Sequence, residues 1–357
     1  MIFAIAAAGT GGHVYPALSL ARALEDLGVP QHEIGFLGGD RFEARAVPEA
    51  GYPFRSFGLA RLRSWSSPAN LTIPFVVRRS AAAIADHLRD SGARVVVGMG
   101  GYVSVPASIA ANRVGVPFFL QEQNASPGRA SRYAARRARA TFLGLSGESE
   151  RLPRSTVVGN PLREEIAGVD RFALRPEARH RYGLEASGPV LGILGGSLGA
   201  RVLNDAAAAM VEGSGAAGTV HLTGPDAYPA MARLASDAGV PWTCRPFEAE
   251  MQYFYAAVDL VVCRSGAMTV SELAATGTPS ILVPLDRVGQ GENALMLAGA
   301  GGARVVPQAT AAALPGIVRS LLFDPGELER MGVRARGVGR PDAGAVIARH
   351  LMEAADG

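Results

Sequence analysis

A histidine at position 13 closes a glycine-rich bend, Gly9-Thr10-Gly11-Gly12-His13, set between an apolar run (2–8) and a stretch of helical spacing (17–24). Those residue types in that order can do two kinds of chemistry. Backbone N–H groups exposed where a helix begins suit phosphate oxygens, because they lie at the positive end of the helix dipole. An imidazole, with an ordinary pKa of about 6.5, suits proton transfer near neutral pH. Two further bends, Gly98-Met99-Gly100-Gly101-Tyr102 and Gly195-Gly196-Ser197-Leu198-Gly199-Ala200, follow apolar runs in the same way. None continues into the Gly-Lys-Ser/Thr of a P-loop, and none is a clean G-x-G-x-x-G. Each alone serves equally as the tight turn between a strand and a helix. Three of them, spread over both halves, point to phosphorylated ligands on both sides of a cleft. The third also fits G-x-S-x-G, the nucleophile elbow of α/β-hydrolases. That chemistry needs a histidine after Ser197, and only His221 and His350 follow it, the latter in an apparent terminal helix.

The elements that must carry these bends recur along the chain. Runs at 2–8, 32–39, 93–101 and 116–124 read as buried strands, and 105–115 as a helix between the last two. At 155–166 a strand, a Gly-Asn-Pro turn and a charged segment follow, together read as a linker, and after them the cycle restarts. The stretch 189–210 is strand, glycine bend and helix, and 217–224, 258–266 and 279–285 are further strands, with a helix-like 267–276 between the last two. Alternation of this kind indicates parallel sheets flanked by helices, with ligands beyond the carboxyl ends of the strands. The fold class is α/β, with two doubly wound domains at 1–161 and 162–340. A closing amphipathic helix, 341–357, is expected to pack back toward the first of them.

Composition narrows the field. All 35 basic residues are arginine, and the net charge of +3 conceals an asymmetry: residues 1–160 carry 18 Arg against 11 acids, the remainder 17 against 21. A basic half beside an acidic one fits one half facing an anionic partner. Two cysteines, Cys244 and Cys263, cannot form a disulfide framework or a four-ligand metal site. The start of the chain lacks a basic leader, and no apolar stretch reaches the roughly 18 residues of a membrane span. A soluble, cytoplasmic protein that touches a membrane without crossing it is expected. No aromatic-rich basic stripe suggests nucleic acid.

Taken together, GTGGHVYPALSLA (9–21), GMGGYVSVP (98–106), QEQNASPG (121–128), VVGNPLR (157–163), GGSLGARVLN (195–204) and CRSGAMTVSELAATGTPSILVP (263–284) resemble, in order and spacing, the MurG family. That family transfers N-acetylglucosamine from UDP-N-acetylglucosamine (UDP-GlcNAc) to lipid-linked muramoyl pentapeptide (lipid I) in peptidoglycan synthesis. The resemblance spans Gly9 to about Gly302. It implies a GT-B fold, two Rossmann-like domains facing across a cleft, with the acceptor in the first and the nucleotide sugar in the second. Carried over by position, Thr10, Gly11 and Gly12 face the donor, Asn124 bonds its sugar, and Arg163 pairs with the diphosphate. Ser197 adds a hydroxyl to the third bend. The run Ala267, Met268, Thr269, Val270, Ser271 and Glu272 holds the nucleotide, with Glu272 on the ribose hydroxyls. Gln290 meets the sugar, and backbone near Phe247 and Glu248 meets the uracil. Gly100, Gly101 and Tyr102 fall to the acceptor. The chain departs from the family at Gln121, where histidine is usual, at Leu198, where glutamine is usual, and in a shortened 286–293 segment. Glu248 stands at an often apolar position.

The family reaction inverts the anomeric centre and releases UDP. His13 is the expected base, with Glu122 as the alternative or as the group that orients it. No D-x-D motif occurs, so no metal and no cofactor is expected. The acceptor's lipid implies a peripheral protein at the cytoplasmic face of the bacterial membrane. The segment 65–79, with Phe75, Arg78 and Arg79, has interfacial character. Arg129, Arg132, Arg136 and Arg139 are spaced for one helical face, a second basic surface. Other cell-wall synthesis proteins are candidate partners. Two other readings stay open: a UDP-GlcNAc 2-epimerase-like isomerase on the same scaffold, and a non-enzymatic nucleotide-sugar binder.

Overall fold

A computed structural model describes residues 1–59, 72–285 and 289–357. The chain divides into two compact units, Met1–Arg163 together with Pro341–Gly357, and Glu164–Arg340.

The first unit is built on strands β1 (Phe3–Ala6), β2 (Ile34–Gly38), β3 (Phe54–Ser56), β4 (Val95–Gly98), β5 (Phe118–Glu122), β6 (Ala140–Leu143) and β7 (Ser155–Val157). They form a parallel sheet of order β3-β2-β1-β4-β5-β6-β7, which reverses direction between β1 and β4. The alternation of β1 explains how the sheet is covered. Phe3, Ile5 and Ala7 join one core with Val14, Ala17, Leu20 and Leu24 of the helix Gly11–Asp26. Ile347, Ala348 and Leu351 of the closing helix Ala343–Asp356 complete that layer. Ala4, Ala6 and Ala8 turn to the other face, beneath the helices Ile73–Ser91 and Ser104–Val114. Burial on both faces is why these parallel strands are continuous apolar runs rather than alternating ones.

Register sets the edge on which chemistry can occur. Ala6 lies opposite both Leu37 and Gly98, and Gly98 opposite Leu120. The residues that follow, from Ala7, Gly38, Met99 and Gln121 onward, therefore emerge together at the carboxyl edge, around the strand-order reversal.

The second unit repeats the plan with β8 (Val190–Leu194), β9 (Gly218–Leu222), β10 (Trp242–Arg245), β11 (Leu260–Cys263), β12 (Ser280–Leu282) and β13 (Ala303–Val305). Their order is β10-β9-β8-β11-β12-β13, all parallel, with the reversal between β8 and β11.

The strand expected at the start of the linker segment is β7, which pairs with β6, and the first unit runs on through Arg163. One expectation changes. The four arginines spaced for one helical face do not share a helix: Arg129–Ala135 ends before Arg136, and the N–H of Arg139 bonds the Phe118 carbonyl. Of the segment 65–79, residues up to 71 lie outside the described ones; Phe75, Arg78 and Arg79 are exposed on the helix Ile73–Ser91.

Candidate functional site

In the first unit the bend after β1 is held by Gly9 at φ +114° and by Thr10, the N-cap of the helix Gly11–Asp26, so His13 sits in the first helical turn. Pro16 inside this helix removes the N–H that would bond the Gly12 carbonyl, leaving the turn around His13 less self-satisfied than an ordinary helix start. The bend after β4 places two consecutive left-handed residues, Gly100 (φ +71°) and Gly101 (φ +67°), against the His13 ring. A Cβ at Gly101 would lie 3.4 Å from His13 Nε2, and one at Gly100 3.5 Å from Cδ2. Glycine thus serves both the backbone conformation and the approach of the imidazole. The structure brings His13, Gly100 and Gly101 together, and Tyr102 reaches toward the same bend, with its ring 3.7 Å from where a Gly9 Cβ would be.

His13 Nδ1 is buried without a hydrogen-bond partner among the described residues. Burial lowers the imidazole pKa from its ordinary value, and the carboxylates of Glu122 and Glu43 oppose that shift. The neutral imidazole that this burial favours is the form in which a general base acts. Glu122, buried at the end of β5, accepts at Oε1 from both the N–H and the Nδ2 of Asn124, each at 3.0 Å. That pair fixes the Asn124 amide. Behind it lies a buried chain of amides. Gln121 Nε2 donates to Asn160 Oδ1 (2.7 Å), Gln123 Nε2 donates to Gln121 Oε1 (2.5 Å) and to the Met99 carbonyl (2.9 Å), and Asn160 Nδ2 donates to the Gln123 carbonyl (3.2 Å). Gln121, the departure from the family pattern, is therefore an interior residue bonded through both its amide nitrogen and its amide oxygen, and tied through Gln123 to the bend that carries Gly100. Thr10 and Gly12 are exposed, and the Arg163 guanidinium stacks 5.5 Å over the Tyr15 ring. Sequence reasoning missed Glu43, whose buried carboxylate accepts from the N–H groups of Gly9 and Gly39. The glycine pair at 38–39 was its only signal.

In the second unit the bend after β8 packs so tightly that only glycine fits. A Cβ at Gly199 (φ +77°) would lie 2.1 Å from the Thr223 carbonyl oxygen, and one at Gly195 2.2 Å from the Ala200 nitrogen. Ser197 is exposed at its tip, ahead of the helix Arg201–Ser214. Across the strand-order reversal, the bend after β11 opens the helix Ala267–Thr276. The free N–H groups of its first turn belong to Ala267, Met268 and Thr269. The Val270 side chain is fully buried, and its N–H donates to the Gly266 carbonyl. Ser271 is also largely buried. Glu272 is half-buried and accepts from the Tyr255 hydroxyl at 2.7 Å. Glu248 is buried, its carboxylate taken by the Tyr182 hydroxyl (2.8 Å), Arg245 (2.6 Å) and the Glu250 N–H (3.0 Å). Only backbone is left there to meet a ligand, beside the half-exposed Phe247. Gln290 opens the helix Gln290–Ala300; its Oε1 accepts from the Leu285 N–H (2.9 Å), and its carbonyl accepts from the Ser265 hydroxyl (2.8 Å).

For the hydrolase alternative, the nearer histidine in sequence is unsuited. His221 is buried, bonds Asn204 Oδ1 through Nε2 (3.0 Å) and stacks on Trp242, so it is interior packing and no partner for Ser197. Among the described residues no group of three or more His, Cys, Asp or Glu could hold a metal ion, and no helix is long and apolar enough to cross a membrane.

Comparison with known proteins agrees with this geometry. The glycosyltransferase family 28 N-terminal domain matches residues 3–143, and its C-terminal domain matches residues 190–343. A UDP-N-acetylglucosamine--N-acetylmuramyl-(pentapeptide) pyrophosphoryl-undecaprenol N-acetylglucosamine transferase from Acidothermus cellulolyticus is 39% identical over 98% of this chain and 97% of its own length. The crystal structure of Acinetobacter baumannii MurG superposes with a TM-score of 0.78 at 25% identity, covering 99% of both chains. The UDP-GlcNAc 2-epimerase of Neisseria meningitidis, bound to UDP-GlcNAc, shares the fold (TM-score 0.70) at only 13% identity, over 99% of this chain and all of its own. With both family domains matched in order and full-length relatives near two-fifths identical, the chain belongs to glycosyltransferase family 28 and, within it, to the MurG family.

Proposed function

We propose that this protein transfers N-acetylglucosamine from UDP-GlcNAc to the C4 hydroxyl of the lipid-linked muramoyl pentapeptide, with inversion at the anomeric carbon and release of UDP. The observation that carries the reading is the full-length match to transferases named for this reaction. The bend around His13 supplies the chemistry it requires. In the proposed step His13 takes the proton of the C4 hydroxyl, and that oxygen forms the bond to C1 of the sugar. The C1–O bond to the diphosphate breaks, and the electron pair leaves with UDP. Glu122 holds Asn124 for the sugar, and Gly100, Gly101 and Tyr102 shape the acceptor side. The amides of the third bend and the first turn of Ala267–Thr276 hold the nucleotide, and Glu272 takes the ribose hydroxyls. Charge developing on the leaving group meets oriented N–H donors, as in an oxyanion hole. Arg163, preset by stacking on Tyr15, is the proposed cation for phosphate oxygens.

Metal has no part in this scheme. The setting we infer is the cytoplasmic face of the membrane, where Phe75, Arg78 and Arg79 would meet anionic lipid. Incubation with UDP-GlcNAc and a short-chain lipid acceptor, with and without chelator, tests the reading. UDP release that requires the acceptor and ignores chelator is expected. Release without acceptor, or conversion of the sugar at C2, would replace the transferase with the isomerase. Binding without turnover would leave only a nucleotide-sugar binder.

A further inference from the structure

Glu43 is the second residue of the helix Phe42–Glu49, and its side chain is completely buried. Both carboxylate oxygens accept from backbone: Oε2 from the Gly9 N–H and Oε1 from the Gly39 N–H, each at 3.0 Å. No ion pair among the described residues involves it. A buried carboxylate without a cation is costly, and two N–H bonds plus a place in its own helix's first turn only partly offset that cost. Room has been made for it. A Cβ at Gly38 would lie 2.8 Å from Glu43 Cγ, and one at Gly39 would lie 3.1 Å from Oε1.

The charge has an electrostatic counterpart in His13. Protonation of that ring is opposed twice, by burial and by its place in the first turn of a helix, where the dipole is positive. Its own first turn contains no acid. Nearby on the same helix is Tyr15, with the Arg163 guanidinium over its ring. The bend after β4 sets Gly100 and Gly101 against the ring, and the Tyr102 hydroxyl lies beside Gly39. Negative charge reaches His13 from two other elements, Glu122 at the end of β5 and Glu43. Glu122 is the larger of these two influences, and Glu43 is the one that also bonds the bend leading into His13. The same bond consumes the Gly9 N–H and sets a carboxylate behind the first bend, which disfavours a phosphate there. The third bend, by contrast, runs into the exposed Arg201.

We propose that Glu43 is a positioning residue: it pins the first glycine bend to the end of β2 and supplies buried negative charge that stabilises His13 as the imidazolium formed when the acceptor hydroxyl is deprotonated. This rests on the transferase reading for its catalytic part, but the electrostatic part has its own readout. In the full chain, with histidines isotopically labelled and His13 assigned through His13→Gln, the NMR titration midpoint of His13 is compared with that in Glu43→Gln. Loss of the charge should lower the midpoint by about 0.5–1 pH unit. The acid limb of kcat/KM for the acceptor should move with it, kcat should fall ~10-fold or more, and UDP affinity should stay within about twofold. Glu43→Asp keeps the charge but shortens the reach, so the midpoint should hold while kcat falls; it also serves if Glu43→Gln does not fold. An unmoved midpoint in Glu43→Gln, or full kcat in Glu43→Asp, overturns the proposal. If the midpoint shifts but His13→Gln retains full turnover, the transferase role of His13 fails and the electrostatic assignment of Glu43 stands.

Discussion

Acidification should loosen the second unit through one side chain, His221. Its Nε2 donates to Asn204 Oδ1, an orientation fixed because Asn204 Nδ2 donates to the Thr223 carbonyl at 3.0 Å. The remaining nitrogen, Nδ1, is buried without a partner among the described residues, so a proton added there has no acceptor. Burial pushes the pKa down to about 4, while the unfolded chain titrates near the ordinary value of 6.5. Between those values the unfolded state binds more protons, so stability rises with pH: the contribution is complete above 6.5 and is lost as pH falls toward 4. Linkage puts the loss at about 2 kcal/mol at pH 5 and about 3 kcal/mol at pH 4, relative to neutral pH. Trp242, stacked 6.0 Å from the His221 ring, is one of only two tryptophans, the other being Trp65. In a Trp65→Phe background its fluorescence reports this unit alone. Urea unfolding at pH 7.5 and pH 5.0 would be compared with and without His221→Gln, whose amide can keep the bond to Asn204. The histidine form should lose about 2 kcal/mol more than the glutamine form. An equal loss in both would refute the argument, because every other titrating group is common to the pair.

Four further outcomes follow from the geometry. His13→Ala should lower turnover at least ~100-fold with UDP binding intact by calorimetry. Gly101→Ala must adopt a left-handed backbone and crowd Nε2 of His13, so it should cost about 1–2 kcal/mol in thermal unfolding and depress kcat while KM for UDP-GlcNAc holds. Tyr255→Phe removes the hydroxyl that orients Glu272; UDP should bind ~10-fold or more weakly, at about 1.5–3 kcal/mol for a bond to a charged group, while 2′-deoxy-UDP is nearly unaffected. Reversing Arg78 and Arg79 to Glu should release the protein from anionic vesicles, at about 1 kcal/mol for each arginine near the surface, without changing turnover on a short-chain acceptor in detergent.

Much of the fold was legible because parallel strands buried on both faces leave apolar runs, and the bends after them need glycine. Val95–Gly98 and Val190–Leu194 are buried throughout and read directly as strands. The partly exposed elements did not. Phe54–Ser56 and Ala303–Val305 are three-residue edge strands whose outer residues face solvent, so they have no pattern of their own. Ser155–Val157 did read as a strand, although its place in the first sheet rests on pairing with Thr141–Leu143, which composition does not show. Arg171, Arg175 and Arg179 have the four-residue spacing of a solvated helical face. Arg171 and Arg179 are instead buried, bonding the carbonyls of Gly277 and Ala257, while Arg175 and Arg179 pair with Asp259 at 2.8 and 2.9 Å.

At the site the same limit operates through distance along the chain. His13 and its glycines are neighbours in sequence, and their types alone suggested proton transfer. The partners that decide how His13 behaves come from elsewhere. Gly100 and Gly101 reach it only because β4 lies beside β1 in the sheet, with Ala6 opposite Gly98. Glu43, in a stretch that reads as an exposed helix with charges on every side, becomes interior because β2 flanks β1 on the other side and ends in two glycines. Three bends that look alike in sequence therefore differ in chemistry. The first is backed by a carboxylate, the second is shaped to an imidazole, and the third is closed on the Thr223 backbone with its serine outward. A glycine bend announces close approach; what approaches is set by the strands on either side.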